Sequence, residues 1–165
     1  MGSIRRQVGA GLPPPAPGTA GESSTVDFLD GDWNVVRHIS DHLTGDVGVF
    51  RGQASFQRCP DGLALSYRED GELRFGGHRG PASRSLLYRE LADGSADVRF
   101  ADGREFYRLD LRSGTWSAEH PCRADQYRVT VRRLSPDSFA EIWRVTGPAK
   151  DYVLATTYTR TGGSR

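Results

Sequence analysis

The sequence contains very little cysteine and almost no lysine, and it has no long apolar run. Cys59 and Cys122 are the only cysteines among 165 residues, too few for a disulfide scaffold, and this favours a cytoplasmic protein. No stretch approaches the roughly 18 apolar residues of a membrane span. Basic and acidic residues balance at 22 against 21, so no bulk field attracts the chain to other charged surfaces. We therefore expect no nucleic-acid partner and no membrane partner.

Several sequence motifs of known chemistry are missing as well. The chain has no Gly-x-Gly-x-x-Gly, no P-loop, no Gly-x-Ser-x-Gly and no His-Glu-x-x-His. Nucleotide binding and serine hydrolysis therefore have no support in the sequence. We expect a protein that works without an organic cofactor and without a metal.

Composition divides the chain into a tail and one domain. Residues 1–24 are rich in proline, glycine and serine, and they carry too little apolar surface to offset the entropy of ordering them. We predict a disordered tail over residues 1–24 and a single β-barrel domain over residues 25–165. At the start of the domain, Val26, Phe28 and Leu29 follow Ser and Thr residues that can cap one short helix.

From Trp33 onward, apolar residues recur with a period of two, as in β-strands. Trp33, Val35 and Arg37 share one face of the first such segment. Turn sequences such as Asp70-Gly71 and Asp102-Gly103 recur about every ten residues. This pattern predicts an all-β fold, a single antiparallel up-and-down barrel of nine or ten strands with one short N-terminal helix.

The two ends of the predicted barrel indicate that it closes on itself. Gly31-Asp32-Trp33 opens the first strand, and Arg160 lies on the last. In lipocalin-like barrels, a tryptophan after such a glycine lies across one end of the barrel, and an arginine from the last strand packs over its ring. We predict the same contact between Trp33 and Arg160.

Larger pieces of the chain resemble an uncharacterised domain family of bacteria and fungi. The matching motifs are Gly31-Asp32-Trp33 with Arg37, Phe50-Arg51-Gly52, Tyr67-Arg68-Glu69-Asp70-Gly71, Phe100-Ala101-Asp102-Gly103-Arg104-Glu105-Phe106, His120-Pro121-Cys122-Arg123-Ala124-Asp125-Gln126-Tyr127 and Gly147-Pro148-Ala149-Lys150-Asp151-Tyr152. The resemblance spans about residues 28–160, and its last two motifs are the most specific. It implies a calycin-like or lipocalin-like barrel and supplies no activity, so function has to be argued from the residues.

The segment around His120 concentrates reactive side chains. Asp125 and Tyr127 alternate onto the same face as Val129 and Val131, so both are predicted to point into the barrel. His120 could then act as a general base, with Asp125 fixing its tautomer. The alternative is a loop whose polar side chains bind their own backbone.

Metal binding at the same segment is a further alternative. His120, Cys122 and Asp125 offer three ligands, and His38 or His42 could add a fourth, although this spacing matches no structural zinc pattern. Haem held by His120 is a related possibility.

Lys150 is a second candidate for chemistry. Of the 22 basic residues, 21 are arginine and Lys150 is the sole lysine. An ammonium group is a compact charge that loses its proton more readily than a guanidinium, which suits an anion contact, a proton transfer or a Schiff base. The alternative is a surface ion pair between Lys150 and Asp151.

Charged residues also break the apolar inward pattern at Arg37, Glu69 and Arg84. Three such residues together indicate a polar cavity, because an unpaired charge inside a barrel costs several kcal/mol. The predicted catalytic residues are His120, Asp125 and Lys150. The predicted substrate-binding residues are Arg37, Tyr67, Glu69, Arg84, Tyr88, Cys122, Tyr127, Trp143 and Tyr152.

The leading hypothesis is a cofactor-independent enzyme that acts on a small, partly apolar molecule by general acid–base catalysis. A cyclisation, isomerisation, elimination or hydration would suit these residues. The molecule would lie against the aromatic side chains of Trp33, Phe56, Tyr88, Tyr127 and Trp143. A non-catalytic lipocalin-like carrier, a metal- or haem-binding barrel and an interaction protein are the alternatives. We expect a monomer or a homodimer.

Overall fold

The computed structural model describes residues 23–162, which form one short helix and ten strands. Helix α1 spans Thr25–Leu29, and Ser24 caps it by accepting a hydrogen bond from the backbone N–H of Asp27. The strands are β1 (Gly31–Asp41), β2 (Val47–Arg58), β3 (Ala64–Phe75), β4 (His78–Glu90), β5 (Ala96–Phe100), β6 (Glu105–Leu109), β7 (Thr115–Cys122), β8 (Asp125–Ser135), β9 (Ser138–Gly147) and β10 (Lys150–Arg160).

All ten strands belong to one antiparallel sheet in the order β6-β5-β4-β3-β2-β1-β10-β9-β8-β7. β1 pairs with β10 from Trp33↔Arg160 to Asp41↔Tyr152, which confirms the predicted up-and-down barrel and its closure between the first and last strands. Within residues 23–162, β6 and β7 are the only consecutive strands without a backbone ladder. Side chains bridge this seam, where the Trp116 indole N–H donates to the carbonyl of Arg108.

One end of the barrel is closed by α1 and Trp33. The Trp33 side chain is fully buried, and its indole N–H donates to the Leu29 carbonyl at 2.8 Å. The Arg160 guanidinium lies 4.2 Å from the centre of the Trp33 ring and donates to the carbonyls of Asp30 and Phe28 at 2.7 and 2.6 Å. The predicted packing of Arg160 over Trp33 is confirmed, and it joins the last strand to the C-terminal end of the helix.

Aromatic rings fill the barrel above this closed end. Phe139 stacks parallel on Tyr158 at 4.2 Å and meets Trp33 edge-on at 4.9 Å. Phe56 packs against Tyr67 at 4.6 Å. Trp33 and Phe56 were expected to contact a bound molecule, but they lie within this packed core instead. Space for a ligand therefore has to be sought at the opposite end, which we call the open end.

The wall of the barrel is low on one side of the open end. β5 and β6 have five residues each, whereas β3 has 12 and β4 has 13. The ladder between β4 and β5 stops at Leu86↔Phe100, so residues 78–85 of β4 have no second neighbour among the described strands. We call the resulting gap, between residues 78–85 and β7 above the β5–β6 hairpin, the side notch.

The described residues leave the predicted disordered tail untested and bear on the expected absence of a membrane partner only through the length of the helix. Most of the predicted tail, residues 1–22, lies outside the described residues. Over residues 23–162, the single helix has five residues and is far too short to cross a lipid bilayer.

Candidate functional site

Arg37 and Glu69 form a buried ion pair halfway along the barrel. The Arg37 guanidinium donates to both carboxylate oxygens of Glu69, at 2.7 and 2.8 Å, and through Nε to the Thr156 hydroxyl at 2.9 Å. The Tyr67 hydroxyl also donates to Glu69. Arg37 therefore forms hydrogen bonds through all three of its side-chain nitrogens to residues inside the barrel.

Burial and pairing act in opposite directions on the two charges. Burial disfavours the charged form of Arg37, but the hydrogen bonds to Glu69, together with the surrounding acidic groups, outweigh it and raise the pKa of Arg37. Burial likewise disfavours the Glu69 carboxylate, yet Arg37 and then Arg84 hold the pKa of Glu69 below its usual value. Both groups are therefore ionised at neutral pH.

Glu141 is a second buried carboxylate, and the sequence analysis missed it. It is 5% exposed, accepts a hydrogen bond from the Trp143 indole N–H and lies 3.5 Å from the Tyr158 hydroxyl. Its signal was present, because Glu141 alternates with Phe139 and Trp143 on the inward face of β9. The same alternation on β10 marks Thr156 beside Tyr158.

Arg84 is the interior cation with unused hydrogen-bonding capacity. Its Nε is buried and lies 3.4 Å from a Glu69 oxygen, but the geometry is not that of a hydrogen bond. Its guanidinium carbon lies 5.6 Å from the centre of the Tyr67 ring. The side chain is 32% exposed, because Arg84 borders the side notch.

Tyr67 and Tyr88, both predicted to bind substrate, lie deeper in the barrel. The two rings meet edge-on at 5.9 Å, and the Tyr67 hydroxyl lies 3.3 Å from that of Tyr158. Burial raises the pKa of both phenols well above the usual value. Their position beneath Arg84 makes them the base of the polar interior.

Three aromatic rings stack against one another beside the side notch, where Phe100 and Phe106 are half-buried and Trp143 is buried. Phe106 stacks on Phe100 at 4.4 Å and lies parallel to Trp143 at 5.0 Å. A β-bulge explains this position, since the register passes from Val98↔Tyr107 to Arg99↔Glu105 and leaves Phe106 as an extra residue. We call Phe100, Phe106 and Trp143 the aromatic shelf. Simple alternation predicted Trp143 but could not predict an inward Phe106.

Lys150 lies at the open end, where it joins two strands. Its ammonium group is 2.7 Å from the Asp125 carboxylate and donates to the Tyr127 hydroxyl at 2.9 Å. The hydrogen bond to Asp125, followed by that to Tyr127, raises the pKa of Lys150. The ammonium is therefore a fixed positive charge at neutral pH. We call these three residues the rim triad.

A glycine makes this contact possible. Gly147 is paired with Lys150 across the β9–β10 turn, and a Cβ at Gly147 would lie 2.0 Å from a carboxylate oxygen of Asp125. The alternative pair between Lys150 and Asp151 is not formed, because Asp151 faces His42 at 3.4 Å.

His120 takes a different place from the one its proposed partnership requires. Its ring contacts Phe106 edge-on at 5.8 Å and Tyr127 at 6.3 Å, whereas Asp125 is engaged by Lys150. The expected pair of His120 with Asp125 is therefore replaced by one with Lys150. His120 borders both the aromatic shelf and the rim triad.

Cys122 and Tyr152 complete the predicted set. Cys122 is an exposed free thiol paired in register with Asp125. Tyr152 is half-buried beside Tyr127, and burial, followed by the charge and hydroxyl of Tyr127, raises its pKa. Over residues 23–162, no three His, Cys, Asp or Glu side chains converge as metal ligands would.

Two surface grooves lie elsewhere, on the outer face of β1–β3. One of about 530 Å³ is bordered by His38, Arg51 and Arg74, and one of about 520 Å³ by Gln53, Arg68 and Asp70. The predicted site residues line neither groove.

Comparison with known proteins relates the chain to one family and to several barrels. A family model described as "Family of unknown function (DUF6314)" matches residues 29–160. A search of curated protein sequences finds no match.

Solved structures share the barrel fold at low sequence identity. The S-type phycobiliprotein lyase CPES from Guillardia theta has a TM-score of 0.56 and 11% identity, covering 84% of this chain and 92% of that one. A de novo designed fluorescence-activating β-barrel has a TM-score of 0.45 and 12% identity, covering 84% and 98%. A DUF3598 protein of unknown function from Nostoc punctiforme has a TM-score of 0.44 and 11% identity, covering 83% and 49%.

Proposed function

The chain belongs to the family of unknown function DUF6314, and we propose that it binds a small, partly apolar molecule at the open end of its barrel and acts on it by acid–base chemistry. The observation that carries this proposal is the aromatic shelf at the side notch, with polar groups on both sides of it. Arg84 borders one side, and His120 with the rim triad borders the other.

The shelf suits a flat apolar body. Phe100 and Phe106 are half-buried, although both belong to the inner side of the barrel, and the parallel stack of Phe106 on Trp143 shows how a planar group packs there. The packed aromatic side chains of the core, among them Trp33 and Tyr158, fill the closed end of the barrel, so the ligand would lie at the open end. Apolar surfaces with a few convergent polar groups are typical of small-molecule sites. The likeness to a phycobiliprotein lyase, 11% identical, supports a barrel and leaves the ligand open.

The rim triad supplies an acid. The Tyr127 hydroxyl would give a proton to an oxygen of the substrate, and the Lys150 ammonium, 2.9 Å away, would stabilise the negative charge left on the phenol oxygen. Asp125 holds Lys150 in place, and His120, in ring contact with Tyr127, would accept the second proton of the reaction. This arrangement suits an isomerisation, cyclisation, elimination or hydration.

A non-catalytic carrier is the second candidate. It is favoured by the position of His120, whose contacts are with aromatic rings and whose predicted carboxylate partner is engaged elsewhere. A carrier would use the same shelf and release its ligand unchanged.

The proposal is tested first by mass spectrometry of small molecules extracted from the purified protein. The recovered compound is then added back, and affinity and conversion are compared between wild type and Lys150→Arg. We expect an unchanged fold and at least about a tenfold loss of turnover, because a guanidinium is larger, planar and differently hydrated. Arg128→Lys is the matched control, since Arg128 pairs with Glu119 on the outer face.

Three outcomes separate the candidates. Conversion by wild type that Lys150→Arg loses and Arg128→Lys keeps supports the enzyme. Tight binding with no conversion supports the carrier. A protein that binds no recovered compound contradicts both.

A further inference from the structure

Four ionisable side chains face the interior of the barrel, and their hydrogen-bonding groups are unequally satisfied. Arg37 and Glu69 are bonded to each other, and Glu141 accepts hydrogen bonds from Trp143 and Tyr158. Arg84 makes no hydrogen bond to any residue in the described part of the chain, and its Nε is buried without an acceptor. Such a donor is costly to bury unless an acceptor arrives from outside.

Glu69 does not act as that acceptor for Arg84, although the nearer of its oxygens accepts a hydrogen bond only from Arg37. Both of its carboxylate oxygens already accept hydrogen bonds from Arg37, and one accepts a further bond from Tyr67. Its single negative charge is therefore shared between two cations. Arg84 approaches it to 3.4 Å without hydrogen-bond geometry, held by attraction and by the Tyr67 ring beneath it.

The position of Arg84 makes its free capacity available to a ligand. Arg84 is the next inward residue of β4 after Leu86, whose pairing with Phe100 is the last one between β4 and β5. At Arg84, β4 no longer has β5 beside it, and the side notch begins. Phe100 leads from this point to Phe106 and Trp143. A molecule lying on the aromatic shelf would thus end next to Arg84.

We propose that Arg84 binds the carboxylate group of the ligand, so that the molecule taken up by the barrel is an organic acid with a flat apolar body. A guanidinium matches a carboxylate because its planar fork offers two parallel N–H donors. This inference rests on the proposed function and specifies its ligand class.

The test compares two probes with the same apolar body, 2-naphthoate and 2-naphthalenemethanol. Their affinities are measured by calorimetry on the full chain. We expect wild type to bind the acid more tightly than the alcohol. Arg84→Gln should weaken binding of the acid by at least about tenfold and leave binding of the alcohol unchanged. Arg84→Lys, which keeps the charge but loses the fork, should fall between them and serves as the second variant if the glutamine variant does not fold.

Arg79→Gln is the matched control, because Arg79 lies on the same strand and pairs outside the barrel with Glu72. Equal loss of acid binding in Arg79→Gln and Arg84→Gln would show a bulk charge effect and overturn the inference. Equal affinity of wild type for acid and alcohol would also overturn it, while leaving the proposed binding function standing. Failure of wild type to bind either probe would count against both.

Discussion

Arg37 of β1 and Glu69 of β3 meet inside the barrel across the intervening strand β2. Both side chains point inward, and the two hydrogen bonds between them are 2.7 and 2.8 Å long, although in the ladders Arg37 lies opposite Phe50 of β2 and Glu69 lies opposite Ala54. The Arg37 guanidinium also lies 5.3 Å from the centre of the Phe50 ring. The ion pair thus links β1 directly to β3, two strands that the backbone ladders connect only through β2.

Removing one partner of this pair should be strongly destabilising. Glu69→Gln leaves the buried Arg37 cation without its counter-charge, and we expect the free energy of unfolding to fall by about 3–5 kcal/mol. Urea denaturation followed by tryptophan fluorescence measures the change. The control is Asp70→Asn, which breaks the exposed pair with Arg68 and should leave the transition midpoint nearly unchanged. Similar midpoints for the two variants would contradict a central role for the buried pair.

Acid should act through the same carboxylate. The pKa of Glu69 is lowered in the folded protein from its ordinary value of 4.5, so its contribution is fully present above that value and is lost as the pH falls through the lower, folded pKa. We expect wild-type stability to drop below about pH 4.5 and Glu69→Gln to drop less steeply. Denaturation curves between pH 7 and pH 3 test this. Parallel curves for the two proteins would assign acid sensitivity to other groups.

The closed end of the barrel should depend on Trp33. Truncation to alanine removes a fully buried ring and the platform for Arg160, and it should cost about 3–5 kcal/mol of unfolding free energy. Ile142→Ala, at a side chain that is 45% exposed, should change stability by less than about 0.5 kcal/mol. Chemical denaturation of both variants gives the comparison. A Trp33→Ala protein as stable as the control would remove Trp33 from the core.

The absence of a side chain at Gly147 should be what allows Asp125 to contact Lys150 in the rim triad. An alanine there would place its Cβ against the Asp125 carboxylate, force Asp125 away from Lys150 and so lower the raised pKa of Lys150 toward its ordinary value of 10.5. Because the chain has a single lysine, incorporation of isotope-labelled lysine gives one side-chain signal whose titration is followed by NMR.

The control for this substitution is Gly77→Ala, since nothing lies within 4 Å of a Cβ at Gly77. Its lysine titration should match that of wild type. A Gly147→Ala protein with the wild-type titration would mean that Asp125 keeps its contact by another route.

The sequence allowed the inward residues to be predicted better than their partners. Strict alternation placed Arg37, Glu69 and Arg84 inside because every second side chain of a strand faces the same way. Which carboxylate meets Lys150 depends on the register of β8, β9 and β10 and on the space at Gly147, and alternation contains neither. Asp125 was therefore paired with His120 on nearness in sequence.

Alternation could not predict the aromatic shelf either, but for a different reason. A single bulge turns Phe106 inward, and one extra residue leaves no mark in an alternating pattern. The proposed site otherwise consists mostly of residues that the sequence analysis also named as candidates. The roles of Lys150, Asp125 and His120 stay predictions until the variants are measured.

β6 and β7 follow each other in the chain but share no backbone ladder, whereas β10 and β1, at opposite ends of the domain sequence, are hydrogen-bonded neighbours. A circular permutant that begins at Thr115, joins the end of β10 to α1 by a short linker and ends at Leu111 would therefore trace every ladder of the sheet between consecutive strands. Such a reordered gene should encode the same barrel, with its new termini at the junction of β6 and β7, which has no backbone ladder within the described residues.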